Sequence, residues 1–230
     1  MIPSITNIKG LKYPDEYITR FFFKNGLDKK SGKVLELGCG NGNNLMLFRH
    51  YQWNVIGIDI STQAIKDAKE NFSSFDTRKG SQKFIEHDLN LGLESIFNNT
   101  FGSGIDVLLI PSSLYYIPRD RAWKTLFDAN KILNPGAFIY LRNRTKRDYR
   151  YRRGIEVERN GFKITENTTG EEGVLNVFYD EWECIDMMKE ALQLDSKTVE
   201  VLHIDYENMQ NGIKIPNSDI CIWGKKSQKS

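Results

Sequence analysis

The chain has 230 residues, 40% of them apolar and 27% charged, an ordinary composition for a globular protein with one domain and a full core. Its net charge of +2 argues against a general nucleic-acid-binding protein, and it contains no run of about 18 apolar residues that could cross a membrane. The N-terminus lacks the layout of a secretory signal, and the three cysteines lie far apart without a C-x-x-C pair, so we expect a cytoplasmic protein with reduced thiols and no zinc site.

The first predicted element is an amphipathic helix near residues 14–25, within the segment YPDEYITRFFFK. Ile18, Phe21 and Phe22 fall on one side of this helix, where they can cover a sheet. We therefore expect residues 1–30 to form a helical cap on a single domain that comprises the whole chain.

A glycine-rich turn comes after the first predicted strand, residues 33–37, in the segment VLELGCGNGNNL. The strand contains Glu36, and a helix is predicted near residues 43–51. The glycines stand at every second position: Gly38, Gly40 and Gly42. Such a turn lets a ligand approach bare backbone and directs the free N–H groups of the helix at it. The dinucleotide-binding pattern G-x-G-x-x-G fits poorly, because Asn43 stands where it requires glycine or alanine. An ordinary βα turn is the alternative.

The second predicted strand, residues 54–58, ends in Asp59, with Ile60 directly after it. An acidic residue at this strand end hydrogen-bonds a ribose hydroxyl in Rossmann-type sites. Ser61 has the properties of an N-cap for a helix near residues 62–72. Asp59 could instead be a plain helix-entry residue.

Two further strands are predicted at residues 82–86 and 105–110, and a helix near residues 119–132. After the third strand come His87, Asp88 and Leu89, and after the fourth comes the segment PSSLYYIP. Its two tyrosines are expected to face a substrate, although aromatic packing would also explain them. They are Tyr115 and Tyr116.

A run of seven basic residues and one acidic residue comes after the fifth predicted strand, residues 137–142, in the segment RNRTKRDYRYRR. Arginine side chains suit phosphate groups. The run begins where this strand ends, so we expect Arg142 and Arg144 to hold an anionic substrate. A solvated loop is the alternative interpretation.

The rest of the chain is predicted to contain a β-hairpin insertion at 154–179, a helix near 181–193 and two strands, 198–207 and 219–224, with no helix between them. The insertion leaves the sheet at the edge where ligands bind, so it is a candidate substrate lid. Alternation of strands and helices predicts an α/β protein with a doubly wound, mostly parallel sheet and an antiparallel C-terminal edge.

The pattern E-x-G-x-G-x-G at residues 36–42 resembles motif I of the Rossmann-like (class I) S-adenosylmethionine-dependent methyltransferases. The acidic strand ends at Asp59 and Asp88 agree with this family in order and spacing. The segment KILNPGAFIYL is similar to the family's L-x-P-G-G turn, with Ala137 in place of the second glycine. The resemblance covers about residues 33–141 and implies a seven-stranded sheet.

This resemblance implies that S-adenosylmethionine is the cofactor. By analogy, the glycine turn holds its methionine end, Asp59 its ribose and Asp88 its adenine amino group, while Leu89 stacks on the adenine ring. Leaders similar to YPDEYITRF in this family imply that Tyr13 and Arg20 line the pocket. The predicted cofactor-binding residues are Tyr13, Arg20, Glu36, Gly38, Gly40, Gly42, Asp59, Ile60, Asp88 and Leu89.

The class of acceptor atom can be narrowed from the residues directly after strand four, which are Pro111, Ser112 and Ser113. DNA and amide-N methyltransferases resemble one another in carrying D/N-P-P-Y/F there, and metal-dependent catechol-type enzymes carry a carboxylate. We therefore expect a metal-independent O-methyltransferase that acts mainly by positioning. None of the three histidines is a convincing base. The catalytic candidates are Tyr115 and Tyr116, and the substrate-binding candidates are Tyr116, Arg142 and Arg144.

The favoured function is methyl transfer to a small anionic metabolite, either phosphorylated or nucleotide-linked. A precursor of a bacterial surface polysaccharide, or a phosphate or phosphoramidate oxygen on one, fits this description. The alternatives are an RNA-modifying methyltransferase that uses the basic run, a NAD-dependent oxidoreductase, and a regulator that binds S-adenosylmethionine without catalysis. The acceptor, the general base and the oligomeric state are left open.

Overall fold

The computed structural model describes residues 13–75, 77–97 and 104–228. Residues 1–12 of the predicted cap lie outside this part of the chain. The main sheet has seven strands: β1 Lys33–Leu37, β2 Asn54–Asp59, β3 Gln82–Glu86, β4 Ile105–Ile110, β5 Leu133–Arg144, β9 Glu200–Gln210 and β10 Ile213–Lys225. The α-helices of the described residues are α1 Glu16–Lys24, α2 Asn43–His50, α3 Thr62–Asn71, α4 Arg119–Ile132 and α5 Glu181–Leu192.

The strand order of the main sheet is β3-β2-β1-β4-β5-β10-β9. The first five strands are parallel, and β10 is antiparallel to both β5 and β9. The order reverses between β1 and β4, and in open α/β sheets the ligand crevice lies beyond the carboxyl ends of the strands at this point. The predicted doubly wound sheet with an antiparallel edge is confirmed.

Two apolar cores cover the two faces of the sheet. Helices α1, α2 and α3 lie on one face, and α4 and α5 on the other. The predicted apolar side of α1 is confirmed, because Ile18, Phe21 and Phe22 are completely buried. The ring of Phe21 lies 5.3 Å from that of Tyr140 in the middle of β5, so α1 is packed against this strand.

The insertion after β5 forms a second sheet of three antiparallel strands, where the sequence predicted a hairpin. Its strands are β6 Gly154–Glu158, β7 Gly161–Ile164 and β8 Leu175–Val177. The third strand was missed because it has only three residues, too few for an alternating pattern to register. We call β6, β7 and β8 the insertion sheet.

The C-terminal hairpin is longer than the sequence predicted. Its strands have 11 and 13 residues and meet at Asn211 and Gly212, which both adopt the positive φ that a tight hairpin turn requires. The hairpin extends beyond the last residue of β5 and contacts the loop after that strand, since Pro216 accepts a hydrogen bond from the Tyr149 amide. Within the described residues, no helix is long and apolar enough to span a membrane.

Candidate active site

The glycine turn between β1 and α2 has three left-handed glycines, Gly38, Gly40 and Gly42, with φ of +75°, +52° and +86°. A Cβ atom at Gly38 would lie 2.4 Å from the Cβ of Ser113, so this glycine allows the end of β4 to approach closely. A Cβ atom at Gly40 would meet no atom within 4 Å. Gly40 therefore has its bare backbone facing open space, which is the arrangement that a ligand needs.

Asp59 holds this turn in place from the end of β2. One carboxylate oxygen accepts a hydrogen bond from the Gly40 amide at 2.8 Å, and the other accepts from the Ser61 amide at 2.9 Å. The next residue, Ile60, leaves 63% of its surface exposed although it is apolar. The end of β2 thus combines a fixed carboxylate with an open apolar side chain.

Glu36 on β1 is buried directly beneath the turn. Its Oε1 atom accepts a hydrogen bond from Asn44 Nδ2 at 2.7 Å, whereas its Oε2 atom is buried without a partner. Burial raises the pKa of this carboxyl to about 8, and the charges of Asp59 and Asp15 add to the rise. A cationic group at Oε2 would satisfy the orphaned oxygen and favour the carboxylate form.

The end of β3 differs from the sequence prediction in one respect. Asp88 caps a short 3₁₀ turn, and its Oδ1 atom accepts hydrogen bonds from the backbone and the side chain of Asn90. Leu89, predicted to stack on a ring, is only 7% exposed and packs in the core under α4, where Thr125 donates to its carbonyl. The open apolar surface near this edge belongs to Ile60 and Leu91.

The start of α1 approaches the site through Asp15, which sequence reasoning did not select. Its side chain accepts from the Tyr17 amide as an N-cap and forms an ion pair with Arg142. The two residues predicted to line the pocket from this segment, Tyr13 and Arg20, are both exposed. The N-cap position before an amphipathic helix is the signal that could have identified Asp15.

The residues after β4 bring two aromatic rings to the end of β5. The rings of Tyr115 and Tyr116 lie 4.4 Å apart, and the guanidinium of Arg144 lies 4.5 Å from the centre of the Tyr115 ring. Burial raises the pKa of Tyr116 well above its ordinary value. Tyr116 therefore stays protonated at neutral pH and donates to Glu171, so it is a hydrogen-bond donor and not a base.

Arg142 and Arg144 are the two arginines predicted to bind an anion, and the structure pairs both with carboxylates. Arg142 Nε donates to Asp219 at 3.0 Å, and its Nη1 donates to Asp15 at 3.0 Å. Arg144 donates to both oxygens of the buried Glu171, at 2.7 and 2.9 Å. Burial alone would lower the pKa of both arginines, but the surrounding partners raise it, so both stay charged.

The same pairing extends along the basic run, which changes its interpretation. Six of its seven basic side chains form an ion pair with a carboxylate, while Arg152 lies over the ring of Tyr151. The carboxylates come from the N-caps of α1 and α5, the loop between β7 and β8, the C-terminal hairpin and, for Arg150, also from Asp148 within the run. The six paired residues are Arg142, Arg144, Lys146, Arg147, Arg150 and Arg153. The run therefore fastens these parts together and does not present a free cationic surface.

Besides Asp15, three residues of the site were missed by the sequence: Asn44, Glu171 and Asp219. An asparagine inside a helix and an acidic residue in a loop carry no pattern that marks them. Their importance appears only when the fold places them beside Glu36, Arg144 and Arg142. Among the described residues, no group of three metal-binding side chains comes together.

Comparisons with known proteins relate the sequence and the fold of this chain to methyltransferases. Residues 35–139 match the family model described as a methyltransferase domain. A SAM-dependent methyltransferase of Methanosarcina mazei has a similar structure, with a TM-score of 0.63 at 19% identity over 86% of this chain and 93% of that chain. A second, from Archaeoglobus fulgidus, gives a TM-score of 0.59 at 15% identity over 94% of this chain and 95% of that chain.

A third similar structure is magnesium protoporphyrin IX methyltransferase of Synechocystis PCC 6803, which contains bound SAM. It gives a TM-score of 0.57 at 13% identity and covers 92% of this chain and 77% of that chain. At these identities the structural likeness establishes the fold. No curated protein sequence matches this chain.

Proposed function

We propose that this chain is a class I S-adenosylmethionine-dependent methyltransferase, as the match of residues 35–139 to the methyltransferase family model supports, and that it methylates an oxygen atom of a small molecule. The observation that carries this proposal is the crowded end of β4 and β5. The N-cap of α1, the end of β5 and the loop between β7 and β8 meet there in the partly buried Arg142–Asp15 pair and the buried Arg144–Glu171 pair. This arrangement favours a small acceptor over a macromolecular one.

The residues of the glycine turn fit S-adenosylmethionine. The open side of Gly40 gives room for the ligand against the backbone, and the orphaned Oε2 of Glu36 can accept from its ammonium group. Asp59 and Ile60 offer a carboxylate and an apolar surface at the next strand end. When bound, the cofactor supplies an electrophilic methyl group on a sulfonium.

The work left to the protein is alignment and exclusion of water, because methyl transfer from a sulfonium is an in-line displacement. Tyr115 and Tyr116 wall the end of β4, and the hydroxyl of Tyr116 is a fixed donor. Glu171 fixes the guanidinium of Arg144 against the rings of Tyr115 and Tyr116. These residues position the acceptor, and no metal ligand enters the proposal.

The charge balance at this end of the sheet favours an acceptor without a phosphate group. An anionic acceptor would bind Arg142 only by competing with Asp15 and Asp219, and Arg144 only by competing with Glu171. Removing one partner of a buried ion pair costs about 3–5 kcal/mol, and displacing Glu171 from Arg144 would leave a buried carboxylate unpaired in this way. We therefore place a neutral hydroxyl-bearing small molecule first, and the phosphorylated or nucleotide-linked metabolite predicted from the sequence second.

A panel of matched acceptors tests whether a neutral acceptor is preferred to its phosphorylated form. Transfer of labelled methyl groups would be measured for hydroxylated sugars and phenols and for the phosphorylated form of each. We expect each phosphate to lower kcat/KM by at least tenfold. Higher kcat/KM for the phosphorylated partners, weakened by rising salt, would restore the anionic acceptor and with it the surface-polysaccharide precursor. Labelling of RNA but of no small molecule would favour the RNA-modifying alternative.

A further inference from the structure

The side chain of Asn44 joins the buried carboxyl of the cofactor site to the first turn of α1. Its Nδ2 atom donates to Glu36 Oε1 at 2.7 Å, and its Oδ1 atom accepts from the backbone N–H of Asp15 at 2.9 Å. Asn44 lies on α2, one residue beyond the start of this helix. It therefore joins its own helix to β1 and to the N-cap of α1 without belonging to the glycine pattern.

Asp15 continues the same chain of hydrogen bonds toward the acceptor side. One of its carboxylate oxygens caps α1 by accepting from the Tyr17 amide at 2.8 Å, and the other accepts from Arg142 at 3.0 Å. Arg142 also donates to Asp219 on β10. Five polar residues thus form one connected path from beneath the glycine turn to the antiparallel edge of the sheet.

We propose that Asn44 is a positioning residue that couples binding of S-adenosylmethionine to the docking of α1 beside the acceptor site. The Asp15 N–H can only donate, so the amide oxygen of Asn44 must face it and the NH₂ group must face Glu36. A carboxylate accepts such a bond more strongly than a carboxylic acid does. A ligand ammonium near Glu36 favours the carboxylate, and so strengthens the orientation of Asn44 that holds α1.

This inference rests on the cofactor and is independent of the acceptor class. Charged groups facing Glu36 are Asp59 from β2 and Asp15 from the start of α1, and both are acidic. Neither can replace the ligand ammonium in stabilising the Glu36 carboxylate. The consequence is an order of addition, in which S-adenosylmethionine binds first and completes the wall of the acceptor site.

Hydrogen exchange in the full-length protein, with and without S-adenosylhomocysteine, measures this coupling. The ligand keeps the ammonium group and carries no reactive methyl. Exchange of the α1 amides, residues 16–24, should slow by roughly fivefold to tenfold when the protein is saturated, the difference between a neutral and a charge-assisted hydrogen bond. Saturation is established separately by calorimetry, so binding and coupling are distinct measurements.

Asn44→Ala should still bind S-adenosylhomocysteine at higher concentration, yet show no ligand-dependent slowing in α1. Asn25→Ala is the matched control, because it removes an asparagine bond to the Phe21 carbonyl at the other end of the same helix. It should exchange faster throughout but keep the full ligand-dependent change. In Asn44→Asp the new side chain can share a hydrogen bond with Glu36 only while one of the two carboxyls is protonated, so coupling should be present near pH 6 and absent near pH 9, both approximate limits.

Three results would overturn the proposal. Normal ligand binding with unchanged α1 exchange would remove the coupling and leave the methyltransferase assignment intact. Equal ligand-dependent slowing in wild type and Asn44→Ala would show that the coupling takes another route. Absence of any binding by the wild-type protein would contradict the cofactor assignment itself, and the proposal with it.

Discussion

Single residues decide whether the glycine turn can hold a ligand. Gly40 has a left-handed backbone and open space beside it, whereas Gly38 is confined by Ser113. Asp59 fixes the position of Gly40 by accepting from its amide. Because the carboxylate also accepts from Ser61, the two oxygens bind the turn and the next helix together.

Gly40→Ala should weaken S-adenosylhomocysteine binding by more than its effect on stability explains. The left-handed backbone makes alanine cost about 1–2 kcal/mol, and the new methyl group enters the open side of the turn. Gly26→Ala is the control, since Gly26 has a similar φ of +61° and no atom within 4 Å of the added Cβ. Both variants should lose similar stability in urea unfolding. Only Gly40→Ala should lose affinity in calorimetry, and equal affinities would contradict the ligand contact at Gly40.

The buried carboxyl of Glu36 gives the protein a specific pH dependence. Its folded pKa of about 8 lies above the ordinary 4.5, so the folded state holds this proton more tightly than the unfolded state. Its contribution to the free energy of unfolding is present below about pH 4.5 and lost as the pH rises toward 8. The free energy of unfolding of Glu36→Gln should therefore fall less than that of wild type as the pH rises from about 4.5 to about 8.

Urea unfolding at a series of pH values would measure this difference, with the exposed Glu70→Gln as a surface control. The free energy of unfolding of Glu36→Gln, minus that of wild type, should increase as the pH rises. Parallel curves for these two proteins would show that Glu36 does not titrate in this range.

At the scale of elements, the insertion sheet is held to the main sheet by buried charges. Arg144 on β5 binds Glu171, which lies in the loop between β7 and β8, and Arg150 adds a second contact to the same carboxylate. Arg119 at the start of α4 donates to the Phe178 carbonyl just beyond β8. The candidate lid predicted from the sequence is thus fastened at the loop between β7 and β8 and just beyond β8.

Glu171→Gln should destabilise the protein by about 3 kcal/mol, because it leaves the buried guanidinium of Arg144 without its carboxylate, whereas Arg150 keeps its ion pair with Asp148. Burial raises the pKa of Glu171, but Arg144 and Arg150 lower it overall, so the stability from this pair is lost as the pH falls below the ordinary value. Glu166→Gln, which opens the half-exposed pair with Arg153, should cost less than about 1 kcal/mol.

Urea unfolding gives the two losses, and hydrogen exchange of β7 and β8 shows whether the insertion sheet loosens first. Similar losses in the two variants would mean that the buried pair does not fasten the sheet.

At the scale of the whole molecule, the strand order places the ends of β1, β2, β4 and β5 together at one edge. Helices cover both faces of the sheet and leave this edge open, so a ligand can contact backbone and side chains there. The basic run lies there too, but most of its charge is balanced by carboxylates from other segments of the chain. The arginines of the basic run therefore hold segments of the same chain together.

Saturating S-adenosylhomocysteine should raise the melting temperature, and NAD should not. At a hundredfold excess over Kd, binding adds about 2.7 kcal/mol, which corresponds to a shift of roughly 5–11 °C for a protein of this size. Thermal unfolding with each ligand would test both statements. A shift with NAD alone would favour the oxidoreductase alternative.

The sequence by itself determined the order of strands and helices. Strands β1, β3 and β4 and helix α4 begin and end where they were predicted. Apolar periodicity, turn glycines and N-caps act over a few residues, so they can be read from neighbouring positions. The glycine turn belongs to this class, whereas the hydrogen bond from Gly40 to Asp59 spans 19 positions and was shown by the structure.

Only the tertiary structure decided the partners of the basic run and the role of Asn44. Arg142 pairs with Asp15 across 127 positions, and Arg144 reaches Glu171 across 27. An ion pair depends on where two side chains lie in space, and no local pattern records that position. The sequence therefore located the arginines at the site but could not tell an anion-binding group from one already neutralised by a carboxylate of the same chain.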